Sequence, residues 1–431
     1  MDKVRHGPAW PFLAPAVFAG AVVLYAVAVP LGLSRVEAAA QVAAGIDLDT
    51  STRPVPFALL AIRLAQFIPL GDAPFRANLA SAILAAVAIA LLGRLCVEVV
   101  ALLRPPSNAR QASHDFLHEP FAAVGAAFAA ALCLGTFAVG STAGSAAATR
   151  VVVAAGLLAA FALFRDSGNR AAGLGLAALS GLAGGVDPIA GPLLWPPLLG
   201  LSFLALRKGS RWPLLVPLCF VAVWGASALA SVAAASGGLS LARLLATFGA
   251  TAVHSGSTLP ATALELCDEL GVVGSILAAI GIFVLATRAA LIAAWLILTV
   301  VTSLFFAHSP QHSSLFLEPT RAALPAATFV AGIFVSAGLL HVAGKLGRAR
   351  MAAALALAVI LVFSPAMDGG QGRWLPRSDP AMHLLDIALA RTEIRSVVFP
   401  GTVEMDGLFR LAHSLALRPD LAISKHGRHS P

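Results

Sequence analysis

The sequence predicts an all-α polytopic membrane protein of about eleven transmembrane helices, roughly ten to twelve, with a small α/β segment at its C-terminal end. Three observations carry this. Of 431 residues, 58% are apolar and 12% charged, against about half and about a quarter in globular chains, and the mean hydropathy is +0.87. Apolar runs long enough to cross about 30 Å of hydrocarbon as helices recur along the chain. Lys and Arg gather in every second connection between those runs, the distribution of the positive-inside rule.

In chain order the expected spans are 10–32, 76–103, 121–139, 151–164, 171–186, 189–206, 213–235, 271–287, 291–307, 322–344 and 351–365. Lys3 and Arg5 precede the first span, but it is longer than a signal-peptide core and many spans follow, so it is expected to remain as an uncleaved anchor. Asp187-Pro188 divides two short, Gly- and Pro-broken runs. The cations Arg104, Arg110, Arg165, Arg170, Arg207, Lys208, Arg211, Arg288, Lys345, Arg348 and Arg350 assign their connections to the cytoplasm. The intervening connections hold Glu37, Asp47, Asp49, Asp72, Asp187, Glu265, Asp268, Glu269 and Glu318 and are expected outside. A bacterial inner membrane is the expected location, with the N-terminus cytoplasmic and the C-terminal tail extracytoplasmic.

The net charge of +8 is then mainly topology. Single-stranded nucleic-acid binders set exposed aromatics beside basic residues. This chain has one Tyr, and its Trp and Phe residues mostly sit inside apolar runs, so no nucleic-acid partner is expected. Cys96, Cys133 and Cys219 lie in apolar runs and Cys267 in a connection, with no CxxC spacing. The many Ala and Gly residues suit close helix packing in lipid.

Two parts are expected: a membrane domain over 1–365, which includes a first outer loop at 33–75, and an extracytoplasmic segment over 366–431. In the latter, Asp379-Pro380 marks a helix start. A helix near 380–390, a strand near 396–399, a helix near 407–416 and a strand near 421–423 would form a small α/β unit packed on the outer face.

The first outer loop is the most informative connection. It opens with Ser34-Arg35-Val36-Glu37, passes Gly45-Ile46-Asp47-Leu48-Asp49 and turns at Arg53-Pro54-Val55-Pro56. Phe57, Leu60, Leu64 and Phe67 then recur at helical spacing with Arg63 and Gln66 between them, which suits a helix lying in the headgroup layer. Glu37, Asp47 and Asp49 could supply a general base or hold a metal, and nearby arginines could pair a phosphate. A solvated acidic loop accounts for the same residues, and no spacing here matches a defined metal motif.

The run Pro69-Leu70-Gly71-Asp72-Ala73-Pro74-Phe75-Arg76-Ala77-Asn78-Leu79-Ala80-Ser81-Ala82 resembles the second-span entrance of a polytopic family that includes transmembrane protein O-mannosyltransferases and bacterial relatives, within the type C glycosyltransferase superfamily. The likeness extends to the acidic loop, its Pro-containing turn, Arg63, the Gly-rich span at 179–188 and Arg418-Pro419-Asp420 in the tail. It implies a type C glycosyltransferase-like bundle that moves a sugar, mannose or another hexose, from a polyprenyl-phosphate donor to an outer-face protein, lipid or glycan acceptor. The family's Asp-Ser-Gly-Glu stretch reads Ser34-Arg35-Val36-Glu37 here, retaining only the Glu. Its His-Pro-Pro-Gly-x-Pro turn reads Thr52-Arg53-Pro54-Val55-Pro56, without His or Gly.

The resemblance implies Glu37 as catalytic base with Asp47 and Asp49 as substitutes, and Arg53 and Arg76 as phosphate partners. Asn78 and Asp187 complete the expected substrate-binding set, Asp187 because an ionisable group at the edge of a Gly-rich span is costly unless it faces a cavity or a partner. Arg76 is equally a snorkelling cation and Asn78 a helix staple. No cofactor is implied, and a divalent metal beside the carboxylates stays open. His308 and His312 have zinc-like spacing, but Pro310 between them opposes helical geometry. Arg94 and Glu98, one turn apart, are expected to form a local pair. Two other functions remain open: a non-catalytic assembly or lipid-binding relative, which the lost Asp and His favour, and a transporter, which the broken spans favour although no paired broken segments occur in two halves.

Overall fold

The computed structural model describes residues 15, 17–23, 25, 36–48, 56–103, 146–186, 191–234, 259–306, 324–345, 396–399 and 422–425, and these are almost all helical. Ten helices are described: α1 (Val36–Asp47), α2 (Pro56–Ala65), α3 (Ala73–Leu103), α4 (Ala146–Arg165), α5 (Arg170–Val186), α6 (Trp195–Arg207), α7 (Val216–Ala233), α8 (Leu259–Arg288), α9 (Ala290–Phe306) and α10 (Leu324–Gly344). Single 3-10 turns, Gly191–Leu194 and Trp212–Leu215, lead into α6 and α7. Prolines fall in the first turns of both helices and of the second 3-10 segment, where the missing N–H has no intrahelical partner to lose.

Four stretches are long and apolar enough to cross a membrane: Ala73–Cys96, Ala147–Arg165, Trp212–Ala233 and Leu270–Arg288. Shorter apolar helices lie at Arg170–Val186, Ala290–Phe305 and Phe329–Val342. The chain is therefore a membrane-embedded helical protein. The expected spans at 121–139 and 351–365 lie outside the described residues. Of the first span, residues 17–23 are helical, and Val17, Ala21 and Tyr25 are buried against the core one turn apart.

The core lies where α3, α4, α5, α8, α9 and α10 meet, with Leu92, Leu95, Leu157, Leu163, Leu176, Leu285 and Ile292 fully enclosed. Leu199 and Phe203 on α6 and Leu218, Val221 and Leu229 on α7 point outward, as side chains bordered by lipid do. Small residues set the helix spacing. On α5 a Cβ at Gly181 would come within 2.9 Å of the Phe220 carbonyl oxygen and one at Gly184 within 2.8 Å of the Trp224 ring. The Gly-rich span thus has a packing cause: α7 and its indole lie directly on the α5 backbone.

One expected connection is helical instead. Residues 259–270, which carry Glu265, Cys267, Asp268 and Glu269, form the first part of α8, and the chain breaks at Gly271 with φ 67° and ψ 173°. Only glycine adopts that conformation readily. A polar helix preceding a span therefore ends at a residue that redirects the chain into the membrane segment.

The ends of the bundle differ in charge. Glu98 of α3 meets Arg165 of α4, Trp212 reaches Ser167, and the charges of Arg288 and Lys345 both bear on His341. These contacts bring Arg94, Arg165, Arg170, Arg207, Lys208, Arg211, Arg288 and Lys345 to one end. The other end carries α1, α2 and the entrance to α3. In the tail, β1 (Ser396–Phe399) pairs in parallel with β2 (Ala422–Lys425), with Ser396 opposite Ala422 and Phe399 opposite Lys425. The first strand falls at the expected residues and the second begins one residue late. A parallel pair is joined by a crossover connection; the expected helices near 380–390 and 407–416 lie outside the described residues.

Candidate functional site: the hairpin end of the bundle

The helices α1 and α2 form a hairpin because their facing residues are small or apolar. A Cβ at Gly45 would sit 2.5 Å from Ile62 Cγ2, and Ala44, Ala58 and Leu59 form a core of their own with Leu48 packed against it. Leu48 takes a positive φ of 52°, uncommon for a branched side chain, and this places it against that core as α1 ends. Arg63, in the last turn of α2, donates from Nη1 to the Ile46 carbonyl. That bond ties the two helix ends together.

Inward, α2 buries Ala58, Leu59, Ile62 and Ala65, and Phe57 lies against Gly185 of α5. Outward, Leu60, Leu64, Phe67 and Leu70 are exposed, Phe67 by 76%. An apolar ridge beside the entrance of a membrane span fits a helix seated at the lipid boundary.

The turn from α2 into α3 is heavily braced. Asp72 Oδ1 accepts from the Phe75 N–H at 2.9 Å, capping α3. Arg76 donates to three backbone carbonyls: from Nε to Leu70 at 3.2 Å, from Nη1 to Gln66 at 3.0 Å and from Nη2 to Gly71 at 2.9 Å. Gln66 Nε2 donates to Ile62 at 3.2 Å and to Ala73 at 3.4 Å. A guanidinium has five N–H donors, so Arg76 has most of its capacity committed to holding the turn. Asn78, one helical turn into α3, is buried and bonded within the protein.

Of the carboxylates, Glu37 lies in the first turn of α1, where the helix dipole favours an anion, and Asp47 is the exposed last residue of α1. Glu37 and Asp47 thus stand at opposite ends of α1, which packs on α2 and on α3, the helix that carries Arg76 and Asn78. Asp49, Arg53 and Asp187 lie outside the described residues, as do His308 and His312. Among the described residues, no three His, Cys, Asp or Glu side chains gather as metal ligands would.

One residue with functional chemistry escaped the sequence reading. Arg150 is 3% exposed, one turn inside α4, beside buried Thr149 and within electrostatic reach of the Tyr25 phenol. The far end of α4 meets Glu98 at the cation-rich end, so Arg150 belongs to the hairpin end. A membrane helix holds an ionisable residue there only at considerable cost, and such residues mark binding or transport sites more often than scaffolding. The available signal was an Arg directly followed by a long apolar run, which reads equally as a span boundary.

No protein-family model matches the chain, and no curated protein matches it.

Proposed function

We propose that this chain is a membrane glycosyltransferase of the type C kind, moving a hexose from a polyprenyl-phosphate donor to an acceptor at the hairpin end of the bundle. The burial of Arg150 inside a membrane helix is the observation that carries this reading. A lipid phosphate is an anion that enters from the bilayer, and a buried guanidinium is worth far more to its developing charge than an exposed one. In the step itself the bond between the sugar's anomeric carbon and the phosphate oxygen breaks, and the acceptor oxygen bonds to that carbon. The acceptor proton passes to a carboxylate, with Glu37 as first choice and Asp47 or Asp49 as substitutes. Arg150 takes the phosphate role, and Arg53 stays a candidate phosphate partner on the sequence alone. Arg76 serves chiefly to hold the α2–α3 turn.

The test uses the full chain in proteoliposomes with polyprenyl-phosphate mannose and polyprenyl-phosphate glucose, following release of the lipid phosphate. Arg150→Gln is expected to lower turnover about a hundredfold or more, in line with the loss of one preorganised charge-stabilising donor, with Arg150→Lys in between. Glu37→Gln is expected to abolish turnover. Unchanged turnover in folded Arg150→Gln protein would remove Arg150 from the reaction. Tight donor binding without turnover would favour the non-catalytic lipid-binding alternative, which the commitment of Arg76 to backbone carbonyls also suits.

We also infer the orientation from the charge asymmetry: the end bearing Arg165, Arg170, Arg207, Lys208, Arg211, Arg288 and Lys345 faces the cytoplasm and the hairpin faces outward, in a bacterial inner membrane. Cys267 is exposed on the first part of α8, whereas Cys96 is buried. In a Cys133→Ser background, a membrane-impermeant maleimide added to intact cells is expected to label the protein, and Cys267→Ser to abolish that labelling. Labelling only after the cells are opened would invert the topology.

A further inference from the structure

We propose that the turns between α4 and α5 and between α6 and α7 together form a binding site for the headgroup of an anionic phospholipid. The two turns are fixed to each other. Trp212 Nε1 donates to the Ser167 carbonyl at 2.9 Å, and the buried indole lies flat on α5, where a Cβ at Gly173 would come within 2.4 Å of the ring. Each turn is itself tightly closed. Asp166 Oδ1 accepts from the Gly168 N–H at 3.0 Å, Asn169 Oδ1 caps α5 through the Ala172 N–H at 3.0 Å, and Gly209 takes a φ of 80° to end α6.

Residues 166–170 read Asp-Ser-Gly-Asn-Arg and residues 207–211 read Arg-Lys-Gly-Ser-Arg. Arg170, Arg207, Lys208 and Arg211 are all exposed, and Asp166 is the single carboxylate among them. Arg165 stands next to this group but is committed to Glu98. Among the described residues the four exposed cations thus form a concentrated, mostly unneutralised positive patch on a rigid frame. The Arg207 guanidinium sits 4.8 Å from the centre of the Phe203 ring, a cation–π contact that holds the charge at the level where the apolar surface begins.

That apolar surface selects the occupant. Phe203, Leu206, Leu214 and Leu218 are exposed immediately beside the cations. A soluble anion would use only the charges, whereas a phospholipid sets its phosphate on the cations and its acyl chains along the leucines. Juxtamembrane cations each add about fivefold to the binding of an anionic lipid. Four on one frame suit a headgroup with a net negative charge over a zwitterionic one.

The experiment is native mass spectrometry of the full chain in detergent, given an equal mixture of phosphatidylglycerol and phosphatidylcholine with identical acyl chains. Bound phosphatidylglycerol is expected to predominate. Arg170→Gln, Lys208→Gln and Arg211→Gln, at exposed positions and each checked for unchanged size-exclusion elution, are each expected to lower that preference about fivefold. Arg288→Gln with Lys345→Gln removes two exposed cations from the same end but from other helices. Neither residue belongs to the two turns that form the site, so this pair should change the preference by less than about twofold, below the roughly fivefold of a cation on the frame. Equal retention of the two lipids by the unaltered chain would overturn the proposal. So would an equal loss in the Arg288 and Lys345 variant, since the preference would then belong to the whole charged end.

Discussion

Gly281→Ala is expected to destabilise the bundle by about 3 kcal/mol, the upper part of the range for overpacked cores, although it adds one methyl group with good helix propensity. At this crossing α8 and α10 touch backbone to backbone. A Cβ at Gly281 would lie 1.9 Å from the Phe334 carbonyl oxygen and 3.0 Å from the Gly338 nitrogen, and a Cβ at Gly338 would lie 1.9 Å from the Leu277 carbonyl oxygen. No side-chain rotation relieves either clash, because the atoms met are main chain. The helices would have to part by roughly 1 Å or more to restore an ordinary carbon–oxygen separation of about 3.3 Å, loosening the close packing around it. In lipid that packing is the main force between helices, since apolar surface gains nothing by leaving hydrocarbon.

The comparison that isolates this cause is internal to the chain. Gly175 and Gly225 are helical glycines with nothing within 4 Å of an added Cβ, so Gly175→Ala and Gly225→Ala are expected to be neutral or to stabilise by up to about 1 kcal/mol through helix propensity. Gly338→Ala should resemble Gly281→Ala. The double variant should cost less than the sum of the two, because one separation of the helices relieves both clashes. Thermal unfolding in detergent, followed by loss of monodisperse elution, reads all five. Equal midpoints for Gly281→Ala and Gly225→Ala would show that the crossing is not a close contact.

These glycines also show which features the sequence could reveal. Composition and run length made α3, α4, α5, α7, α9 and α10 legible because a membrane span is a property of about twenty consecutive residues, and single positions hardly alter it. Short apolar runs between polar stretches gave the tail strand at 396–399 at its expected residues, and a second expected near 421–423 that runs over 422–425. Pairwise geometry was not legible. Nothing in the sequence distinguishes Gly281, pressed on a carbonyl, from Gly225, in open space. Arg76 and Arg150 diverge for the same reason. Both stand at the start of an apolar run, yet one spends its donors on the carbonyls of Gln66, Leu70 and Gly71 and the other is enclosed within α4. The early part of α8 was missed because Glu265, Asp268 and Glu269 make it polar, and polarity alone does not separate an exposed helix from a connection. Arg94 and Glu98 were readable as a pair from their spacing, whereas the third member came from another helix.

That third member sets the other large expected effect: removing both arginines around Glu98 should cost more than removing the carboxylate itself. Glu98 Oε1 lies 2.6 Å from Arg94 Nη2, and Oε2 meets Arg165 Nη2 from α4. Side-chain exposure decides the asymmetry: 7% for Glu98 against 20% for Arg94 and 27% for Arg165. With Glu98→Ala the two guanidiniums, on flexible stems near the end of the span, can snorkel toward water and headgroups. With Arg94→Ala and Arg165→Ala together the carboxylate stays enclosed after losing these two ion-pair partners, and breaking a buried pair by removing the partner costs about 3–5 kcal/mol. Adding Glu98→Gln to that double variant should recover most of the loss, because the neutral amide no longer requires a counter-charge, and no simple sum of lost contacts yields a third substitution that restores stability. The midpoint of thermal unfolding for the single, double and triple variants is the measurement. A triple variant less stable than the double would mean that Glu98 is held by hydrogen bonding in which its charge plays little part. An α3–α4 contact that survives replacement of all three charged residues would place its strength in the packing of Leu92, Leu95 and Leu163 instead.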